Sequence, residues 1–348
     1  MKVKKRLFAG FLALAMVLCM NLTVFASGTP SIGEGGPVDS VTLIKTYQIV
    51  NKGTTSPAED FSFTVTGEGV TDATEGIDID DYLPTVASYK TKFGANTADE
   101  NNDIFTNTFT INLPQYDSVG IYTYQITETA GTTMGVTYAN PITMNVTVVN
   151  KEDAPGFDCY VALYNQDGTK ITDDAAFLNK YEAGTLSISK NVEGRLGDKN
   201  KYFAFEVTLK LPEESDNNMN STIGVGATTY LDNPDTITIG QTTVFYLKHG
   251  ETLNLTNIPY GVEYTVAEVG AGTEDEEGEN GYLTSVAGKK DSSIAAASQT
   301  VTFTNTKGGE GYTPDTGVYL DNLPYIIVFA GVLAAVAVLV IRRRRVDD

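Results

Sequence analysis

Three residue types recur in one order along this sequence, each at the end of an apolar stripe: lysine, glutamate, asparagine. Side chains of a β-strand alternate between its two faces, so Val41, Leu43 and Lys45 share one face, as do Leu186, Ile188 and Lys190. Tyr122, Tyr124, Ile126 and Glu128 form a second stripe, matched by Val262, Tyr264, Val266 and Glu268. Phe177 aligns with Asn179, while Val301 and Phe303 align with Asn305. Each half of the chain is therefore expected to bury one Lys, one Glu and one Asn. Capping of strand ends, with head groups reaching water, is the alternative for any one of these residues. The recurrence of all three, in the same order in both halves, speaks against it.

Such a trio has a definite chemistry. An ammonium moved into an apolar interior loses hydration and its pKa falls, whereas that of a buried carboxyl rises. A proton can then sit on the carboxyl and leave a neutral, nucleophilic amine. The protonated carboxyl can hydrogen-bond the asparagine carbonyl, polarising it toward attack and helping ammonia to leave. The product is a Lys–Asn amide. Contact between the groups supplies the effective molarity for a reaction that occurs once per molecule, and the product removes buried charge.

The elements that must hold these groups are strands. The region between the chain's two hydrophobic ends is rich in Thr, Val, Tyr, Gly and Asn, with short alternating runs such as Thr108-Phe109-Thr110-Ile111 and Met144-Asn145-Val146-Thr147-Val148. No stretch keeps a helical period beyond two turns, so an all-β, antiparallel sandwich architecture is predicted. An internal repeat sets the organisation. VTLIKTYQIV (41–50) answers TLSISKNVEG (185–194), FSFTV (61–65) answers FAFEV (203–207), and VGIYTYQITE (119–128) answers YGVEYTVAEV (260–269). The halves close on AAFLNK (175–180) and VTFTNT (301–306) and join near Tyr181 to Gly184. Two domains, 39–182 and 183–308, are expected.

The two ends point to export. Lys2, Lys4, Lys5 and Arg6 precede an apolar run from Leu7 to Leu18, and Val24-Phe25-Ala26 puts small residues at -3 and -1 before Ser27, the build of a secretory signal peptide (1–26) cleaved after Ala26. The apolar core of about 12 residues is short of the about 20 that a span needs, and Val17-Leu18 before Cys19 lacks the small residues of a lipoprotein signal. At the other end, Tyr325 to Ile341 carry no charge and Arg342 to Arg345 follow at once, the positive-inside pattern of a transmembrane segment whose tail stays in the cytoplasm.

Other chemistries find no support. The net charge of -20 argues against nucleic acid as a partner and suits a solvated surface protein. Acidic clusters at 71–81, 97–103 and 273–279 read as solvated loops. The single His249 excludes a His-rich metal site or paired catalytic histidines, and no nucleophile elbow or phosphate-binding loop is present. Neither a cofactor nor a metal is expected, nor a conventional enzyme. Cys159, the one cysteine of the mature part, cannot close an internal disulfide.

LIKTYQIV with its following FSFTV, then GIYTYQITE, GVTYANPITMNVTV and AAFLNK, and in the second half TLSISKNVEG, FAFEVTLKL, IPYGVEYTVAE and VTFTNT, stand in an order that resembles the two-domain major (backbone) pilins of Gram-positive bacteria. The resemblance covers nearly the whole mature chain. It implies immunoglobulin-like domains, each with one self-generated Lys–Asn isopeptide bond assisted by a Glu: Lys45, Glu128 and Asn179 in the first, Lys190, Glu268 and Asn305 in the second. It also implies that Thr313-Pro314-Asp315-Thr316-Gly317, at the head of the 309–348 tail, is a sortase signal cut between Thr316 and Gly317, with Thr313 standing where Leu is usual. Sortase, further copies of the chain in a head-to-tail polymer and peptidoglycan are the partners so implied, and a pilus on the cell wall the location. In similar pilins the acceptor lysine lies shortly before the bond-forming Asn, which here indicates Lys170, with Lys151 and Lys180 as rivals. The Trp-containing pilin motif of other backbone pilins is absent, since the chain has no Trp. A monomeric wall-anchored adhesin, or its stalk, is the alternative function, and no host ligand is readable.

Overall fold

The computed structural model describes residues 36–86, 90–172, 176–213, 221–309, 311–314 and 323–344. The leader (1–26) and the Thr316-Gly317 pair lie outside the described residues.

Strands account for most of the first half: β1 (Ser40–Ile49), β2 (Glu59–Thr71), β3 (Thr85–Val86), β4 (Lys90–Phe93), β5 (Ile104–Asn112), β6 (Gly120–Glu128), β7 (Val136–Thr137), β8 (Ile142–Asn150), β9 (Phe157–Tyr164), β10 (Lys170–Ile171) and β11 (Phe177–Tyr181). They form two sheets, β3-β5-β1-β11-β7 and β10-β9-β8-β6-β2-β4. The second half continues with β12 (Ala183–Glu193), β13 (Phe203–Lys210), β14 (Thr222–Val225), β15 (Thr236–Thr238), β16 (Thr242–Leu247), β17 (Glu251–Pro259), β18 (Glu263–Glu268), β19 (Leu283–Ala287), β20 (Asp291–Ser293) and β21 (Ser298–Thr306). Its sheets run β15-β14-β17-β12-β21-β19 and β16-β13-β18-β20.

Period-2 patterning is what makes these segments strands. Along β6 every second residue, from Gly120 to Glu128, is buried, and along β18 Tyr264, Val266 and Glu268 face inward while Glu263, Thr265 and Ala267 are exposed. The inward faces meet across each sandwich through aromatic rings: Phe63 of β2 packs on Phe177 of β11 at 5.0 Å between centroids, and Phe205 of β13 on Phe303 of β21 at 5.1 Å. Burying one such ring is worth about 1.5–3 kcal/mol, so these contacts contribute substantially to each core.

One pair per half departs from the antiparallel expectation. β1 and β11 run parallel, as do β12 and β21. The first and last strands of each half point the same way because the whole remainder of the half serves as the connection between them, and parallel neighbours require a crossover. The halves abut without a linker: Glu182 N–H donates to Gly135 O (2.9 Å) and Tyr260 N–H to Glu182 O (3.0 Å). Gly135 has φ +80°, and a Cβ there would lie 2.5 Å from Glu182 O, so this approach requires glycine.

The tail helix α1 spans Leu323–Arg344. Among the described residues, no helix is long and apolar enough to cross a membrane.

Candidate functional site

Strand register brings the predicted trios together. On β11, Phe177 pairs with Lys45 and Asn179 lies two residues further on; on β21, Phe303 pairs with Lys190 and Asn305 lies two further on. An offset of two keeps Lys and Asn on the same face. The glutamates arrive from the opposite sheet at equivalent positions, Glu128 opposite Phe63 and Glu268 opposite Phe205. All six side chains are buried, the lysines and asparagines completely.

Lys45 Nζ lies 2.8 Å from Glu128 Oε2, and Lys190 Nζ lies 2.8 Å from Glu268 Oε2. Each ammonium also sits over a ring, 4.6 Å from the centroid of Phe61 in the first site and 4.3 Å from that of Phe203 in the second. Burial pulls both amines down to about 8, against the opposing charge and hydrogen bond of the paired glutamate. An appreciable neutral fraction therefore exists near neutrality.

The asparagines complete both centres, in an orientation that differs from expectation. Asn179 Nδ2 donates to Glu128 Oε1, and Asn305 Nδ2 donates to Glu268 Oε1. The carboxyl thus faces the nitrogen that would leave, not the carbonyl oxygen. In the first site the reason is visible, because Asn179 Oδ1 is taken by the backbone N–H of Ala139 at 2.8 Å. Asn305 Oδ1 is buried without a hydrogen-bond partner among the described residues. The arrangement gives each glutamate one oxygen on the nucleophile and one on the leaving group, which suits a proton relay.

Several neighbours were not anticipated from sequence. Asn280 Nδ2 donates to Glu268 Oε1 at 3.0 Å. Glu59 is buried on β2, takes a hydrogen bond from Tyr138 OH, and is raised above the usual carboxylate range by burial. Its signal was available, since Glu59 shares the inward parity of Phe61 and Phe63. Ala139 acts through its backbone and carries no side-chain signal.

Lys170 is exposed on β10, opposite Tyr164 and just past the Asn165–Gly168 turn, where Gly168 has φ +80°. Lys180 lines a groove of about 580 Å³ between that turn and β11, and Lys151 lies 3.9 Å from Asp158 Oδ1. Thr313 and Pro314 are in irregular structure, and the preceding Tyr312 is held through its carbonyl by Arg195 Nη1 at 2.8 Å. Among the described residues, no group of His, Cys, Asp and Glu could hold a metal ion.

Residues 41–182 match the family described as the Spy0128-like isopeptide containing domain, and residues 184–307 match a domain of unknown function. The chain is 28% identical over 307 residues to a pilin of Streptococcus pyogenes serotype M1, covering 82% of this chain and 85% of that protein. It is 36% identical over 138 residues to the pilus tip adhesin Cpa of Streptococcus pyogenes, covering 39% of this chain and 18% of the adhesin. A crystal structure of the major pilin from Streptococcus pyogenes aligns with 25% identity and a TM-score of 0.46 over 78% of this chain and 99% of the pilin.

Proposed function

We infer that this chain, a member of the isopeptide-bonded major pilins, is the shaft subunit of a covalently polymerised cell-surface pilus and closes one Lys–Asn amide in each of its two sandwiches. The observation that carries this is the duplicated Lys–Glu–Asn centre, with identical register in both halves. Neutral Lys45 Nζ attacks Asn179 Cγ. A C–N bond forms, the Cγ–Nδ2 bond breaks, and one amine proton travels through Glu128 to Nδ2, which leaves as ammonia. Ala139 N–H faces the oxygen on which negative charge gathers during attack. Lys190, Glu268 and Asn305 repeat the reaction in the second half.

The strands so joined are those by which chain enters and leaves each half, so tension along a polymer runs through the amide and past the rest of the sandwich. Assembly adds the finer steps. A leader (1–26) exports the chain and the tail (309–348) holds it in the membrane. A sortase cuts between Thr316 and Gly317 and passes the Thr316 carbonyl to Lys170 of another copy, with peptidoglycan as the final acceptor. The exposure of Lys170 on a hairpin supports its role as acceptor. Intact mass of the 27–316 fragment tests the central chemistry: a deficit of roughly 34 Da, two ammonias, is expected from two amine attacks on amides. A fragment at its full sequence mass would refute it.

A further inference from the structure

The register that equates the two centres also equates Glu59 with Lys201. Phe63 and Phe205 face the two glutamates, which makes Phe61 correspond to Phe203 and the residue two before it Glu59 in one half and Lys201 in the other. Lys190 and Lys201 share one ring, Phe203, and Glu59 stands two residues before Phe61, the ring beneath Lys45. Lys45 Nζ lies 4.6 Å from the Phe61 centroid. Lys190 Nζ and Lys201 Nζ lie 4.3 Å and 5.2 Å from the Phe203 centroid. Both groups are fixed in place: Glu59 takes the Tyr138 hydroxyl, and Lys201 Nζ donates to Asn280 O at 3.0 Å while lying 5.1 Å from the Tyr282 ring. The chemistry proposed above uses neither residue.

We propose that Glu59 and Lys201 are opposed electrostatic trims on the two crosslinking reactions, Glu59 holding the first amine in its ammonium form and Lys201 driving the second toward the neutral nucleophile, so that two differently packed centres close over the same pH range. Granted the crosslinking chemistry, on which this inference rests, the signs are those of Coulomb's law at short range in a poorly screened interior. The charged and titratable groups around Lys45 are Glu128 on β6, Glu59 on β2, Tyr47 on its own strand and Tyr138 beyond β7. Around Lys190 they are Glu268 on β18 and Lys201 ahead of β13; further out, Lys307 Nζ lies 5.4 Å from the Tyr282 ring centroid and His249 Nδ1 accepts from Val192 N–H. Glu59 raises Lys45 and Lys201 lowers Lys190, yet both amines come to about 8, burial being the largest cause in each.

The test counts each bond separately in one molecule. The 27–316 chain, recovered unfolded and uncrosslinked, is diluted from denaturant into buffers from about pH 5 to pH 9 and quenched with acid at intervals. The Lys45–Asn179 and Lys190–Asn305 crosslinked peptides are then quantified by mass spectrometry after digestion. In the wild type both bonds are expected to share one pH midpoint of closure. Glu59→Gln is expected to move the first midpoint down, and Lys201→Gln the second midpoint up, each by about half to one pH unit, with the other bond in the same molecule unmoved. Lys201→Arg is expected to leave both in place. Lys201 is only half-buried, so its arm can be read even where Glu59→Gln fails to fold. Crosslinking with unmoved midpoints, or with both midpoints moving together, overturns the trim alone; absence of any crosslink in the wild type overturns the chemistry beneath it as well.

Discussion

Asn179 lies two residues beyond the partner of Lys45 on a parallel neighbouring strand, and Asn305 stands in the same relation to Lys190. A two-residue offset in a parallel ladder puts both side chains on one face, while each glutamate comes down between them from the other sheet. The reactants are thus supplied by the ends of each half, so the centre is assembled only when the sandwich has closed.

Each glutamate is expected to serve its own bond. Glu128→Ala and Glu268→Ala each remove the oxygens that face the amine and the leaving nitrogen, so each variant of the 27–316 fragment should regain about 17 Da of the roughly 34 Da deficit, from one attack not made. Recovery of the whole deficit by either single variant would contradict two independent centres.

Closure is expected to depend on pH with a definite sign. Both amines titrate near 8, so lowering the pH protonates them and removes the nucleophile. Below that point the neutral fraction falls about tenfold per pH unit. The initial rate of mass loss on refolding should drop about tenfold between pH 7 and pH 6 and level off above pH 9; a flat profile would count against a neutral amine as the attacking species.

Loss of one amide is expected to weaken its half. A crosslink that closes a loop of more than about 100 residues contributes roughly 4–5 kcal/mol through the unfolded state by analogy with disulfides, and in the 27–316 fragment Cys159 has no second cysteine with which to form an internal disulfide in its place. Asn179→Ala should therefore bring forward unfolding of the first half in guanidinium, read by circular dichroism, by about that free energy. Unchanged unfolding would remove the stabilising role.

Lys170 is expected to carry polymerisation. Denaturing gels of cell-wall extracts should show a ladder of high-mass species in the wild type that is lost in Lys170→Ala, while the 27–316 fragment of that variant keeps its mass deficit, because Lys170 lies on β10 and takes no part in either buried centre. A ladder that survives the substitution would move the acceptor to another lysine, such as Lys180 beside the groove.

Sequence alone determined which face each reactive residue occupies. Strand parity depends only on position relative to apolar neighbours, so Lys45, Glu128 and Asn179 were legible as inward residues, and the internal repeat doubled that signal in Lys190, Glu268 and Asn305. Tertiary structure decided what parity leaves open. Which strands are neighbours, and in which direction they run, is set by how whole sheets close, and that made β1 and β11 parallel and aligned Lys45 with Phe177. The orientation of the asparagine amide followed from a backbone N–H at Ala139 that no side-chain pattern announces. The opposition of Glu59 to Lys201 emerged only when the two registers were matched, since a charge two residues from a phenylalanine acquires meaning from the amine packed on that ring.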